Sequence, residues 1–222
     1  MIDPKIESAI EAALSAFSEF NDFDATTLVP EFNNVFASDA DFLSKVDALD
    51  TIFDDNSGIE VLREIFFDMV LINFFSEDVK KLEEDYLDTP EWESIEEQTL
   101  DRGTELLNLL LYLNECDDES IEPSLEDYLK EFLLVDEDEF QDEYYIYEPV
   151  IENQALIESP VEEISQAAQG LPEDTEIAAL FYPMMCFFQN PEPTDEEWGE
   201  IADYSVEPDF DMAVLEILLT FN

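Results

Sequence analysis

The sequence predicts an all-α protein, a helical bundle or short helical array of about nine to eleven helices. Three observations predict it. Only four glycines occur among 222 residues, at positions 58, 103, 170 and 199. None of them follows Asn or Asp, so the strongest short-range hairpin signal is missing. Apolar residues recur three and four apart through most of the chain, and clean alternation is scarce.

Asp3 and Pro4 open the first helix, an acceptor side chain followed by a residue suited to the first helical position. Ile6, Ile10, Ala13, Leu14, Phe17 and Phe20 form its stripe. Two further helices follow, near 25–37 with Phe32, Val35 and Phe36, and near 39–53 with Phe42, Val46, Leu49 and Phe53. Ser57-Gly58-Ile59-Glu60 has the form of a capping box and opens a helix over 59–75. That helix is apolar almost all round, which predicts a central place. Thr89-Pro90-Glu91 starts the next, through Trp92 and Ile95 to Leu106–Leu113. Ser124 begins a shorter one carrying Tyr128, Leu129, Phe132 and Leu133.

Eight of the eleven prolines lie at or after Pro123, so the later elements shorten. Ser159-Pro160 is a start signal and Gly170 a stop, and Thr194-Asp195-Glu196-Glu197 is a second capping box. Pro183 is expected to kink or divide the helix over 177–188, and the last helix covers 210–221. A faint repeat runs through this order. A helix ending in Phe-Phe (Phe74-Phe75; Phe187-Phe188) precedes Trp-x-x-Ile (Trp92/Ile95; Trp198/Ile201) and a leucine-rich helix. Two related halves are one explanation and chance similarity between acidic helices the other. The domain reading is an N-terminal helical half, 1–135, and a base-free acidic half, 136–222, with a continuous domain over 1–222 as the alternative.

Charge is the dominant feature. Sixty Asp and Glu stand against seven Lys and Arg, a net −53. Residues 131–222 hold 25 acids and no base. A folded chain of this mass exposes roughly 10,000 Å², or about one net charge per 200 Å². Duplex DNA carries about one per 100 Å² of its cylinder, so the average surface reaches about half that density. Disorder does not account for it, because 46% of the residues are hydrophobic and 13% aromatic. The acids must coat a packed body.

Residue types exclude several chemistries. No histidine is present, so Ser-His-Asp triads, Cys-His pairs and His-ligated zinc are out. There is no glycine-rich phosphate loop, and Lys80-Lys81 is the only adjacent basic pair. Aligning Gly58 with the sixth position of a calcium loop puts Phe53 at the first, where a ligand is needed. Cys116 and Cys186 have neither metal nor redox spacing and read as reduced core thiols. The first residues lack a signal peptide's basic and apolar regions, and no apolar run reaches ~20 residues. We expect no catalytic residue, no metal, no cofactor, no membrane partner, and a soluble cytoplasmic protein.

Three acidic clusters remain as candidate binding residues. The first is Glu115, Asp117, Asp118 and Glu119 at a helix C-terminus, where carboxylates oppose the dipole. The second is Asp136, Glu137, Asp138, Glu139, Asp142 and Glu143. The third is Asp195, Glu196, Glu197, Glu200 and Asp203, in which 196, 200 and 203 fall on one helical line. Tyr144, Tyr145 and Tyr147 beside the second are either interface anchors or half-buried core residues.

In charge and class alone the chain resembles DNA-mimic inhibitors such as phage anti-restriction and anti-CRISPR proteins; no aligned motif carries that resemblance. It implies a partner that is a basic, nucleic-acid-binding protein, with no direct contact to nucleic acid and an undetermined oligomeric state. The alternatives are an immunity protein for a basic nuclease toxin, or a helical protein adapted to a saline cytoplasm.

Overall fold

The computed structural model describes residues 2–77, 86, 89–131, 140–172 and 175–222, and the side chains of these except 77, 131 and 140–144. The protein is all-α: among the described residues there are twelve α-helices, three short 3-10 helices and no strand. They fall into two compact units, Met1–Leu107 and Asn108–Asn222. The boundary expected after residue 135 lies inside the second unit, among residues 132–139, outside the described set.

The first unit contains α1 (Pro4–Phe20), α2 (Val29–Ala37), α3 (Phe42–Asp55), α4 (Arg63–Glu77) and α5 (Pro90–Thr99). Asp3 caps α1 as its sequence suggests, its carboxylate accepting from the Lys5 amide at 2.8 Å. The segment expected as one helix over 25–37 is two elements, a 3-10 turn at Ala25–Leu28 and then α2. Pro30 explains the break: it has no amide to donate and sits in the opening turn of α2.

Gly58 does not lie in a capping box. Ser57–Leu62 is a 3-10 helix whose cap makes no side-chain bond, and Glu60 instead accepts from Arg63 Nε at 2.8 Å. The guanidinium three residues on offers a charged, two-pronged donor that outcompetes a single amide. Helix α4, which follows, is buried nearly all round: Ile65, Phe66, Phe67, Met69, Val70 and Ile72 are each at most 2% exposed. Phe66 meets Phe32 at a tilt and Phe53 edge to face, at centroid distances of 4.5 and 5.8 Å, so α2, α3 and α4 share one aromatic core.

The helix expected from Thr89 through Leu113 is also two, α5 and α6 (Leu106–Glu119). Gly103, at φ +87°, turns the chain between them in a conformation L side chains resist. A Cβ there would lie 2.6 Å from Asp68 Oδ1. The turn is held by Asp68, which accepts from the Thr104 amide at 3.0 Å and its hydroxyl at 2.6 Å.

The second unit holds most of α6, with α7 (Leu125–Glu131), α8 (Phe140–Asn153), α9 (Val161–Gln169), α10 (Ala178–Gln189), α11 (Asp195–Tyr204) and α12 (Pro208–Phe221). Helix α10 packs on α12 and on α9. Pro183 neither ends nor divides α10, which runs through it. The amide it lacks would have bonded the carbonyl of Ala179, an exposed residue whose oxygen water can satisfy. Pro149 in α8 is tolerated in the same way, four residues after exposed Tyr145. Tyr112 closes the α6–α7 connection, its hydroxyl accepting from the Ser124 amide at 2.9 Å and donating to the Ser124 carbonyl at 3.1 Å. Among the described residues no helix is long and apolar enough to cross a membrane, and both cysteines are buried thiols that form no disulfide.

Candidate acidic interface

Among the described residues, Lys45, Arg63, Arg102 and Lys130 are bonded within the chain. Lys45 is buried and donates to the Phe36 carbonyl at 3.1 Å. Arg63 reaches Asp50, Asp54 and Glu60. Arg102 reaches Asp50 and Glu64. Asn108–Asn222 contains 32 acids and one base, Lys130, which is bonded to Glu126. Arg63 and Arg102, mostly buried, grip carboxylates and hold the first unit together.

Helix α11 shows how the sequence builds an acidic face. Thr194 and Glu197 make the expected capping box: the Thr194 amide donates to Glu197 Oε2 at 2.8 Å, and Thr194 Oγ1 accepts from the Glu197 amide at 3.4 Å. The Thr194 amide holds the Glu197 carboxyl below its usual range, so it is ionised. Trp198 Nε1 donates to Glu216 Oε1 at 2.7 Å, and Ile201 and Ala202 are buried. Tyr182 donates to the Ile201 carbonyl at 2.6 Å and Ser165 to the Tyr204 carbonyl at 2.7 Å. With that side anchored, Asp195, Glu196, Glu197, Glu200 and Asp203 are all exposed. Glu196, Glu200 and Asp203 then stand roughly 5–6 Å apart along one line of the helix.

The first-turn acids of α11 are favourable for local reasons, since they face the positive end of the dipole. Those of α6 are not. Glu115, Asp117, Asp118 and Glu119 are exposed at the C-terminal end, with no base in the last turn. The helix closes there in a Schellman arrangement: Ile121 donates to the Cys116 carbonyl at 2.9 Å and Ser120 to Asp117 at 3.1 Å. Ser120 adopts φ 56° where glycine is usual. Each acid at this end costs roughly 0.3–1 kcal/mol through the dipole.

Of the second cluster, Asp136, Glu137, Asp138 and Glu139 lie outside the described residues. Asp142, Glu143 and Tyr144 fall within the bounds of α8, and their side chains lie outside the described set. The tyrosines divide. Tyr145 is 66% exposed and can meet a partner. Tyr147 is fully buried, its hydroxyl 2.6 Å from that of Tyr128. It is a core residue, and the anchor alternative is withdrawn for it: two positions along a helix turn the side chain to the opposite face.

Comparisons with protein-family models, with curated proteins and with solved structures return no match. The site is therefore read from its chemistry.

Sequence reasoning missed two buried acids. Asp68, 1% exposed, accepts from Thr104, and burial pushes its carboxyl up to about 8. Asp211, 7% exposed, accepts from the Ser205 hydroxyl, and burial pushes it up to about 7. Asp68 is a lone acid inside the apolar run 65–72, a signal that could have found it; Asp211 follows Glu207 and Asp209 and carries no such signal. Among the described residues no three carboxylates or thiols converge to hold a metal ion.

Proposed function

We propose that this chain is a binding protein that occupies the basic, nucleic-acid-binding groove of another protein, with carboxylates standing where phosphates would. It acts by exclusion: the partner's Lys and Arg side chains pair with the acidic face, and nucleic acid is kept out. Steering by a charge of −53 speeds the encounter and makes it steeply dependent on salt.

The observation that carries the reading is the separation of charges. Lys45, Arg63, Arg102 and Lys130 all bond oxygens of the chain itself, while the acids of α11 and of the α6 terminus are exposed without basic neighbours in their own turns. Surfaces that need only solubility interleave both signs. The unfavourable dipole position at α6 adds to this, because local stability does not select it.

The test is capture from a native-host lysate on immobilised protein at 50 and 500 mM NaCl, followed by elution with duplex DNA. The expected result is a set of nucleic-acid-binding proteins retained at 50 mM, absent at 500 mM and released by DNA. A chain carrying Asp195→Asn, Glu196→Gln, Glu200→Gln and Asp203→Asn should retain at least tenfold less. Retention that is indifferent to both salt and DNA overturns the reading.

A further inference from the structure

The connection between α11 and α12 borders a cleft of about 180 Å³. Ala168, Ala178 and Ala179 line it together with the polar residues Tyr182, Glu207 and Asp211. Val206 lies at its edge and is 64% exposed, so the cleft opens to solvent.

Asp211 is the unusual member. Only 7% of it is exposed, and its donors are the Ser205 hydroxyl and the Glu207 amide. An Asn could accept both bonds without the cost of desolvating a carboxylate. Every titratable group facing it is neutral or acidic: Glu207 beside it, Asp209 on its own helix, and Tyr182 and Cys186 on α10. The α9 residues of the cleft, Ser165 and Gln169, carry no charge. Lys130, the one base of this unit's sequence, is bonded to Glu126. The cleft thus holds a sheltered carboxylate and, among the described residues, lacks a counter-ion.

We propose that this cleft receives the ammonium end of a lysine side chain of the partner, with Asp211 and Glu207 as counter-ions and the alanine methyls along the alkyl stem. The inference rests on the reading that the partner is a basic protein. Lysine suits the cleft better than arginine. One oxygen of Asp211 is already engaged by Ser205, which removes the two-pronged carboxylate that a guanidinium prefers, whereas a compact ammonium needs a single oxygen. Pairing would also keep Asp211 ionised, so binding strengthens as pH rises.

The test uses the full chain and n-butylammonium chloride as the lysine surrogate, followed by methyl NMR at constant ionic strength, with tetramethylammonium chloride as control. The expected result is saturable shifts at Ala178, Ala179 and Val206 with n-butylammonium alone, and affinity about tenfold higher at pH 8 than at pH 6, as the carboxylate ionises. Asp211→Asn should abolish the shifts. Ala178→Leu, which fills the cleft and leaves Asp211 untouched, should do the same. Equal shifts with both cations, or unchanged binding by Asp211→Asn, overturn the proposal. Should Asp211→Asn capture the basic partner at full strength while the α11 variant does not, the polyanion reading stands and the lysine cleft falls. Should n-butylammonium bind as described while no basic protein is captured, the polyanion reading falls and the lysine source falls with it.

Discussion

Arg102 and Asp50, 52 residues apart, meet through two hydrogen bonds: Nη1 to Oδ2 at 3.0 Å and Nη2 to Oδ1 at 3.1 Å. Arg63 donates to the same carboxylate, at 3.0 Å to Oδ1. Each guanidinium also lies over an aromatic ring, Arg102 over Phe67 at 4.8 Å and Arg63 over Phe53 at 5.4 Å. One carboxylate thus ties the turn after α5 to α3 and to the start of α4.

Arg102→Ala should lower stability by about 2 kcal/mol, less than a fully buried pair because both partners keep some solvent. Arg102→Lys should recover less than half, since an ammonium cannot span Asp50 and Glu64 with fixed geometry. Chemical denaturation followed by circular dichroism measures both. A loss below about 0.5 kcal/mol for Arg102→Ala would mean that the clamp is ornamental.

Stability should fall as pH rises from about 5 to 8. Asp68 and Asp211 have folded-state values raised by burial to about 8 and about 7, above the 3.8 of an exposed Asp. Between those limits the folded chain binds more protons than the unfolded one, so raising the pH favours unfolding. The two sites together account for an effect on the order of several kcal/mol. Thermal melts from pH 5 to 8 should shift downward. Asp68→Asn should flatten the upper part of that slope while keeping an acceptor for Thr104.

Tyr147→Phe should cost about 1–2 kcal/mol, because it removes the buried hydrogen bond between its hydroxyl and that of Tyr128. Tyr145→Ala should leave the melting temperature within a degree or two, as its ring is mostly in solvent. Partner capture should respond in the opposite sense, weakening for Tyr145→Ala and not for Tyr147→Phe.

Added salt should raise the melting temperature. A net −53 repels itself, and at about 0.15 M the screening length shrinks to roughly 8 Å, shorter than the mean spacing of exposed charges. Melts at 10 and 300 mM NaCl compare the two regimes directly, and equal midpoints would show that local pairing has already neutralised the repulsion.

The helices were legible where a local pattern suffices. The stripe of α1, its Asp3-Pro4 start, the Thr194 capping box and the all-round burial of α4 depend on residues within a turn or two of one another. The misread places depend on distant ones. Glu60 forms the rear half of a capping box in sequence, but it accepts from Arg63, which also reaches Asp50 and Asp54 on α3. Helix α5 stops because Arg102 turns back to Glu64 and Asp50 while Thr104 reaches Asp68. Tyr145 and Tyr147 look alike in a row of acids until the fold puts one in solvent and the other beneath Tyr128.

The sequence by itself determined the helical class, the absence of histidine and glycine-loop chemistry, and an excess of negative charge that no arrangement of seven bases could cancel. Those are sums over composition and short-range spacing, and folding cannot change them. Only the tertiary structure decided which cations are consumed, where Gly103 breaks a helix, and that Asp68 and Asp211 are carboxyls kept from water. A carboxylate's charge state and a cation's availability depend on what surrounds them, and those neighbours come from parts of the chain far away in sequence.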